Sequence, residues 1–364
     1  MSGLEARIRA EIERDGPMPL DRYMALALGD AADGYYMNAD PLGAGGDFIT
    51  APEISQMFGE LIGLWMADRW QRNGAPSDAV LAELGPGRGT LMADALRAIA
   101  RAAPAMLEGR KVFLVETSPA LRKLQAERLA GADVEWLDEI EDLPDAPLFL
   151  IANEFFDALP VRQVVRRGDE LAERAVGIED GALAFVETPL RWPLAYDTPE
   201  LAEGEIFELC EAGRDTARLL GGRIAAKGGG ALIVDYGHAV SAPGDTVQAM
   251  KAHAYHPVLG EPGTADLTAH VDFAMLARAA GEQGAAAFGP VGQRQFLLRL
   301  GIEARLAQLM RNADQTTADG LAAGFRRLTN PEYMGHLFKV LCIVPDDQQT
   351  PAGFVDEEAF SRNA

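Results

Sequence analysis

Three glycines at a spacing of two residues, Gly85, Gly87 and Gly89, follow the apolar run 80–84 and precede a helical pattern. Glycine tolerates a positive φ, and without a Cβ it lets a ligand press against the backbone. The N-terminus of the following helix adds free N–H groups and a partial positive charge. This strand, turn and helix favour a nucleotide-like ligand; the alternative is a glycine-rich loop that merely turns the chain.

The carboxylate of Glu83 at the end of the same strand narrows the kind of ligand. The glycine spacing is not that of the dinucleotide fingerprint, and no Lys-Ser/Thr pair of a P-loop follows it. A fixed negative charge suits a ligand with a cationic amino-acid end better than a pyrophosphate. S-adenosylmethionine, which carries an ammonium and a sulfonium group, is a ligand of this kind.

A second carboxylate, Glu116, closes the next apolar run. An acid at the end of the second strand of a doubly wound sheet can accept hydrogen bonds from ribose hydroxyls. Leu137 and Asp138 follow the third strand, and by position alone we expect the adenine near them.

The elements that carry these residues alternate between strand and helix patterns, which predicts an α/β fold with a parallel sheet. The predicted sheet strands are 80–84, 111–116, 133–137, 147–152, 231–237, 285–288 and 337–344. Alternating residues over 161–186 predict an inserted antiparallel hairpin or meander. A helix is expected over about 205–226 and a long polar loop up to about 266.

The chain divides into three parts in this interpretation. A helical and loop segment over 1–75 forms part of the active-site cover, the core spans 76–345 with an insertion at about 161–230, and 346–364 form a loose tail.

Composition excludes several classes of function. The net charge of −22 argues against a nucleic-acid partner. The sequence contains no run of about 18 apolar residues, so no membrane span is predicted. Cys210 and Cys342 are far apart and are expected to be free thiols. The N-terminus lacks the pattern of a signal or transit peptide, so we expect a cytoplasmic protein.

Three sequence blocks add a family resemblance over roughly residues 20–345: 46–55, Asn153-Glu154-Phe155-Phe156-Asp157-Ala158-Leu159-Pro160, and Asp235-Tyr236-Gly237. Together with the glycine turn they resemble the MidA-type family of S-adenosylmethionine-dependent methyltransferases. The resemblance implies a class I fold, a Rossmann-like seven-stranded sheet with helices on both faces. It also implies complex I assembly through protein arginine methylation, by symmetric dimethylation of an arginine near the N-terminus of the 49 kDa-type NADH:ubiquinone oxidoreductase subunit.

The expected cofactor site combines the turn, the strand ends and the early block. Its residues are Glu83, Gly85, Pro86, Gly87, Gly89, Glu116, Leu137, Asp138, Asn153, Gly46, Thr50 and Pro52. Asp47 and Glu53 complete the pocket if the early block acts as the resemblance implies. The alternative is that Thr50 and Ser55 only cap a helix.

The acceptor site is expected just after the fourth strand, at Asn153, Glu154, Phe156 and Asp157. The amide and the aromatic at its fourth place are similar to the Asn-Pro-Pro-Tyr motif of nitrogen methyltransferases, but both prolines are missing. An arginine acceptor is always cationic in water, so carboxylates must orient it, and we assign this role to Glu154 and Asp157. The alternatives are a solvated Glu154 and a bracing Asp157.

Other functions remain as alternatives. The chain is either an enzyme or an assembly chaperone that binds the subunit and keeps the cofactor site only as structure; a nicotinamide-dependent oxidoreductase fits the glycine spacing poorly. His253 and His256 invite a metal site, but no recognisable ligand set completes it. A homodimer formed through the 161–186 insertion is a further expectation.

Overall fold

The computed structural model describes residues 3–38, 50–194, 198–346 and 349–360. Helices in these ranges are α1 Gly3–Asp15, α2 Leu20–Gly29, α3 Tyr35–Asn38, α4 Ala51–Ile54, α5 Gln56–Arg72, α6 Thr90–Ala102, α7 Pro119–Arg128, α8 Glu211–Lys227, α9 Phe273–Gly281, α10 Gln293–Arg299, α11 Ile302–Met310 and α12 Gln315–Thr329. Shorter helical turns lie at Pro104–Met106, Ile140–Asp142, Pro331–Gly335 and Asp356–Glu358.

The strands fall into three sheets. They are β1 Met18–Pro19, β2 Val80–Leu84, β3 Val112–Val115, β4 Val134–Leu137, β5 Leu148–Asn153, β6 Arg162–Arg167, β7 Glu170–Glu179, β8 Ala182–Pro189, β9 Ile206–Leu209, β10 Gly229–His238, β11 Gln248–Lys251, β12 Ala254–His256, β13 Asp266–Thr268, β14 Val271–Asp272, β15 Ala285–Gly292 and β16 Phe338–Pro345.

The largest sheet has the strand order β15-β16-β10-β5-β2-β3-β4, and the two-residue β14 pairs with β10 as an eighth strand. The run from β10 through β4 is parallel, while β16 is antiparallel to both of its neighbours. The predicted α/β fold is therefore present. Because β3 and β4 lie on one side of β2 and β5 on the other, the chain reverses its direction of winding between β2 and β5, where open α/β sheets bind ligands.

Helices cover both faces of this sheet because its inner strands are apolar on both sides. Alternate residues such as Leu81 and Phe149 pack with α5, α6 and α10 on one face. Their neighbours Val80 and Leu148 pack with α8 and α9 on the other. This packing fixes the strand ends that carry the predicted site residues.

The insertion forms an antiparallel sheet of order β1-β7-β6-β9, with β8 paired to β7. The meander predicted over 161–186 is thus observed in β6, β7 and β8. The sequence did not predict that β1 of the N-terminal segment joins it, with Met18 opposite Val176. Packing of α1 and α2 against β7 gives these two parts of the chain a shared core, to which β13 also contributes.

Two local predictions are wrong. The helix expected from about residue 205 begins at Glu211, because Phe207 and Leu209 are buried in strand β9 against β6. The long polar loop expected before residue 266 contains the small sheet β12-β11-β13.

The tail expected to be loose over 346–364 differs from this expectation in the described range 349–360. Phe354 is buried against Phe288 and Phe296. Arg299 forms an ion pair with Glu358 at 2.7 Å. The boundaries 1–75 and 76–345 stay predictions. No helix of the described chain is long and apolar enough to cross a bilayer.

Candidate functional site

A cavity of about 500 Å³ lies at the carboxyl ends of β2, β3 and β5. Its wall combines the turn after β2, the ends of β3 and β5, and residues of α2, α3 and α4. Parallel pairing of Leu84 with Ala152 brings the glycine turn beside Asn153. The cavity therefore sits where the sheet topology predicts a ligand.

The glycine turn needs glycine at specific positions. Gly85, Gly87 and Gly89 have φ values of +56°, +52° and +77°. A Cβ at Gly85 would lie 2.9 Å from the Phe155 ring. Gly85, Pro86 and Gly87 line the cavity, whereas Gly89 lies behind it as the N-cap residue of α6. The turn presents bare backbone to the cavity, as a closely bound ligand requires.

Glu83 is buried at the floor of the cavity and is 2% exposed. Within the described chain its Oε2 has no hydrogen-bond partner. Burial raises the pKa of the carboxyl to about 8, although a hydrogen bond from the backbone of Met92 opposes the shift. A buried carboxylate with a partnerless oxygen calls for a cationic or hydrogen-bonding ligand group.

Glu116 lines the cavity at the end of β3. Its Oε1 accepts a hydrogen bond from the Ser118 backbone at 2.8 Å, and its Oε2 accepts one from Gln125 Nε2 at 3.2 Å. Burial raises its pKa, because lost hydration outweighs these bonds. Asp138 also lines the cavity and is paired with Arg122 at 2.7 Å. Leu137 does not line it; its carbonyl accepts from Arg122 Nη2 at 3.1 Å.

Asn153 and Glu154 line the cavity next to the glycine turn. Glu154 has a φ of +51°, a left-handed conformation that is rare outside glycine. Such strained conformations are concentrated at functional sites. Its Oε1 accepts hydrogen bonds from the Ala51 backbone and from Asn153 Nδ2, both at 3.1 Å. Loss of hydration still raises the pKa of Glu154. Asn153 Oδ1 is buried without a partner in the described chain.

Asp157 and Phe156 are not among the residues that line this cavity. Phe156 is buried edge-on against Phe155, which lines the cavity in its stead. Asp157 is buried near Asp235, and the backbone N–H of Asp157 donates to Asp235 at 3.2 Å. Burial and the neighbouring carboxylates raise the pKa of Asp157 well above its usual range. The expectation that Asp157 contacts an acceptor does not match this geometry.

The early block reaches the cavity through α4. Thr50 and Pro52 line it, and Thr50 makes no side-chain cap bond, whereas Ser55 caps α5 by accepting from Met57. Glu53 lines it too and accepts a hydrogen bond from the Thr90 hydroxyl. Gly46 and Asp47 lie outside the described residues.

These features fit S-adenosylmethionine. The partnerless oxygen of Glu83 meets the need of an ammonium group, the glycine turn leaves room for close contact, and Glu116 offers acceptors for ribose hydroxyls.

Comparison with known proteins decides the family. A model described as an S-adenosyl-L-methionine-dependent methyltransferase family matches residues 61–291. Mitochondrial protein arginine methyltransferase NDUFAF7 of Homo sapiens is 37% identical over 92% of this chain and 82% of its own. The homologue of Drosophila melanogaster is 38% identical over 94% and 85%. A crystal structure from Burkholderia thailandensis bound to S-adenosyl-homocysteine is 29% identical, with a TM-score of 0.84 over 99% of this chain and 96% of that one.

The chain belongs to this family of S-adenosyl-L-methionine-dependent methyltransferases. The resemblance to the MidA-type family and the predicted cofactor are confirmed. The predicted cytoplasmic location is wrong on this comparison, because the two NDUFAF7 relatives named above are mitochondrial proteins. When bound, the cofactor supplies an electrophilic methyl group on a sulfonium.

Two polar residues at the methyltransferase site were missed in the sequence. Tyr36 lines the cavity, and its hydroxyl donates to Asp266 at 2.8 Å. Gln125 lies behind the glycine turn and donates to the Gly87 carbonyl at 2.7 Å. The hydrogen-bond partners of Tyr36 and Gln125 are distant in sequence, so no local spacing predicts either contact. For Tyr36 the available sequence signal was the pair Tyr35-Tyr36 after Gly34.

The histidines do not assemble a metal site in the described part of this methyltransferase, where no three His, Cys, Asp or Glu side chains group as metal ligands. His256 Nε2 lies 3.1 Å from the Gly260 carbonyl.

Proposed function

We propose that this methyltransferase methylates an arginine of a protein. The observation that carries the proposal is Glu154, a carboxylate in a left-handed backbone conformation at the cavity wall beside the glycine turn. The names of the relatives, protein arginine methyltransferases, support it. Following the resemblance, we propose symmetric dimethylation of the 49 kDa-type subunit during complex I assembly.

The proposed cofactor site has three groups of residues. Glu83 faces the ammonium group, Gly85, Pro86 and Gly87 receive the methionine part, and Glu116 holds the ribose. Asp138 lies at the adenine end. Thr50, Pro52 and Asn153 complete the wall, while Gly89 and Leu137 support it from behind. The strand order of the large sheet is the basis for proposing the class I arrangement.

The proposed acceptor chemistry rests on Glu154. Both protein hydrogen bonds described above use its Oε1, which leaves Oε2 for a guanidinium group. An ion pair with that cation orients one guanidinium nitrogen, and the carboxylate is placed to take the proton that this nitrogen loses on methylation. A raised pKa makes Glu154 a better proton acceptor than an exposed glutamate. Asn153 holds the carboxylate, and Asp157 and Phe156 support the segment from behind.

Replacing Glu154 tests this role. Glu154→Gln keeps the side-chain shape and removes the charge, so we expect methyl transfer to the subunit to fall by about 100-fold or more. The affinity for S-adenosyl-homocysteine, measured by calorimetry, should stay within about threefold, since the variant keeps the cavity wall.

The exposed Glu332 provides the control. Glu332→Gln removes the same charge from the protein and should leave the transfer rate and affinity unchanged. Full activity of Glu154→Gln with normal cofactor affinity would exclude the guanidinium role.

A homodimer through the inserted sheet is proposed as well. Its strand β8 pairs only with β7 in the described chain, and such an edge accepts a further strand. Light scattering at micromolar concentration tests it; a monomer mass would exclude it.

A further inference from the structure

Gln125 joins three separate parts of the chain around the cofactor site. It lies on α7 and is fully buried. Its Nε2 donates to the Gly87 carbonyl at 2.7 Å and to Glu116 Oε2 at 3.2 Å, and its Oε1 accepts from Trp136 Nε1 at 2.8 Å. One amide therefore ties the turn after β2, the end of β3 and strand β4.

The orientation of this amide follows from its partners. The Gly87 carbonyl only accepts hydrogen bonds, and the Trp136 indole only donates. A reversed amide would oppose oxygen to oxygen and N–H to N–H. Each polar atom of Gln125 is thus committed to a specific neighbour.

Two of the three partners line the ligand cavity, namely Gly87 and Glu116. The Gln125 side chain also packs under the turn, since a Cβ at Gly89 would lie 3.5 Å from the Gln125 Cγ. Movement of Gln125 would therefore shift both the turn and the carboxylate.

Glu116 keeps acceptor capacity after these contacts. The backbone N–H groups of Thr117 and Ser118 and the Gln125 amide donate to it, and a carboxylate accepts about four hydrogen bonds. The Gln125 donor favours the ionised form of Glu116, which is the form that accepts from hydroxyl groups.

We propose that Gln125 is a positioning residue for cofactor binding, which fixes the Glu116 carboxylate relative to the glycine turn. The inference rests on the proposed role of Glu116. In this proposal the Gln125 side chain affects cofactor binding indirectly, through its hydrogen bonds to Gly87 and Glu116.

The test is calorimetric titration of S-adenosyl-homocysteine into Gln125→Met. Methionine keeps the length and packing but makes none of the three hydrogen bonds. We expect about tenfold weaker binding, the effect of losing a hydrogen bond to a charged group. Loss of a donor to the ionised form of Glu116 raises the pKa of this carboxyl. As the pH is lowered, ligand affinity should therefore begin to fall at a higher pH in Gln125→Met than in the wild type.

Other charges near Glu116 are unchanged in this comparison. They are Arg122 of α7, whose Nε donates to the Glu116 carbonyl at 2.6 Å, Asp138 after β4, and Glu83 at the end of β2. A shift in the pH profile between the two proteins therefore reports on Gln125.

Gln293 is the matched control, a fully buried glutamine whose Nε2 donates to the Leu328 carbonyl at 2.9 Å away from the cavity. Gln293→Met should lower the melting temperature and leave ligand affinity and its pH profile unchanged. Wild-type affinity and pH profile in Gln125→Met would overturn the proposal. Equal loss of affinity in both glutamine variants would also overturn it, since a general loss of stability would then explain the effect.

If Gln125→Met does not fold, Gln125→Glu replaces it. This variant keeps the acceptor for Trp136 but sets a second carboxylate beside Glu116. Affinity should be low at alkaline pH and recover as the new carboxyl gains a proton; wild-type affinity throughout would overturn the proposal.

Glu116→Gln separates this inference from the role on which it rests. Normal ligand affinity in that variant would remove the ribose role and the inference together. Weak binding in Glu116→Gln with normal binding in Gln125→Met would remove the inference alone. The titration contains no acceptor, so neither result bears on arginine methylation.

Discussion

Glu83 costs the free protein stability. Its folded pKa of about 8 lies above the ordinary value of 4.5, so the folded state binds a proton that the unfolded chain has released between these pH values. The free energy of unfolding therefore falls as the pH rises through this window, by up to about 1.4 kcal/mol per pH unit. A cationic ligand group beside the carboxylate would offset this cost.

Glu83→Gln is expected to stabilise the free protein at alkaline pH and to weaken S-adenosyl-homocysteine binding. Urea unfolding over a pH series should give a flatter dependence than in the wild type. The buried Asp235, whose pKa is raised to about 8, contributes to the slope in both proteins.

Removing the charge of a paired carboxylate should have the opposite effect on stability. Glu60 is buried and bonded to Arg305 at 2.8 Å and 2.9 Å, so Glu60→Gln should destabilise the protein because it leaves that cation without its counter-charge. Loss of stability in Glu83→Gln at alkaline pH would contradict our account of Glu83.

The sequence predicted the residues that end parallel strands. Glu83, Glu116 and Asn153 meet at one edge of the sheet because β2, β3 and β5 pair in parallel. Asp157 lies only four residues beyond Asn153, yet the chain turns it inward toward Asp235. Sequence spacing does not encode that turn.

At the scale of elements, the close approach of α5 and α6 holds the two sides of the cavity together. A Cβ at Gly63 of α5 would lie 2.4 Å from the Ala95 carbonyl oxygen of α6. α6 begins at the glycine turn, and α5 follows α4, which carries Glu53. Glycine at this crossing therefore sets the distance between the turn and the early block.

Gly63→Ala should lower the free energy of unfolding by about 1–3 kcal/mol through overpacking. It should also weaken S-adenosyl-homocysteine binding, because the helices must separate. Urea unfolding and calorimetry measure the two effects.

Leu64→Ala is the control on the same helix, where the side chain is 42% exposed. It should change stability by less than about 0.5 kcal/mol. Equal effects of the two substitutions would show that the helix crossing does not require glycine.

Elements with a clear local pattern of apolar residues were predicted from the sequence. Elements that form only by pairing with residues distant in sequence were not. The apolar runs that form β2 and β5 correctly predicted buried strands. Strand β9 has only four residues, and its pairing with β6 across the insertion outweighed a local helical pattern. The strands β11 to β13 have only three or four residues each.

At the scale of the whole molecule, the C-terminal segment completes the core. The Phe354 ring lies 5.5 Å from that of Phe296 and 6.5 Å from that of Phe288, between ring centroids. The Phe360 backbone donates to the Ala287 carbonyl at 2.8 Å, at the edge of the large sheet. These partners are far along the chain, so the sequence alone predicted a loose tail.

Phe354→Ala should reduce the free energy of unfolding by about 3–5 kcal/mol, as expected for a truncated core aromatic. Urea unfolding measures the loss.

Val355→Ala, at a neighbouring position that is 37% exposed, should cost less than about 0.5 kcal/mol. A negligible effect of Phe354→Ala would mean that the segment is not part of the stable core.

The central claim is methyl transfer to a protein arginine, and its most direct test uses the purified chain, S-adenosylmethionine labelled in its methyl group, and the purified 49 kDa-type subunit. Mass spectrometry of the N-terminal peptides of the subunit should reveal a gain of two methyl groups on one arginine. Absence of transfer, with S-adenosyl-homocysteine bound tightly in a parallel titration, would contradict the proposed acceptor. Unmethylated subunit that still binds the chain would favour an assembly scaffold.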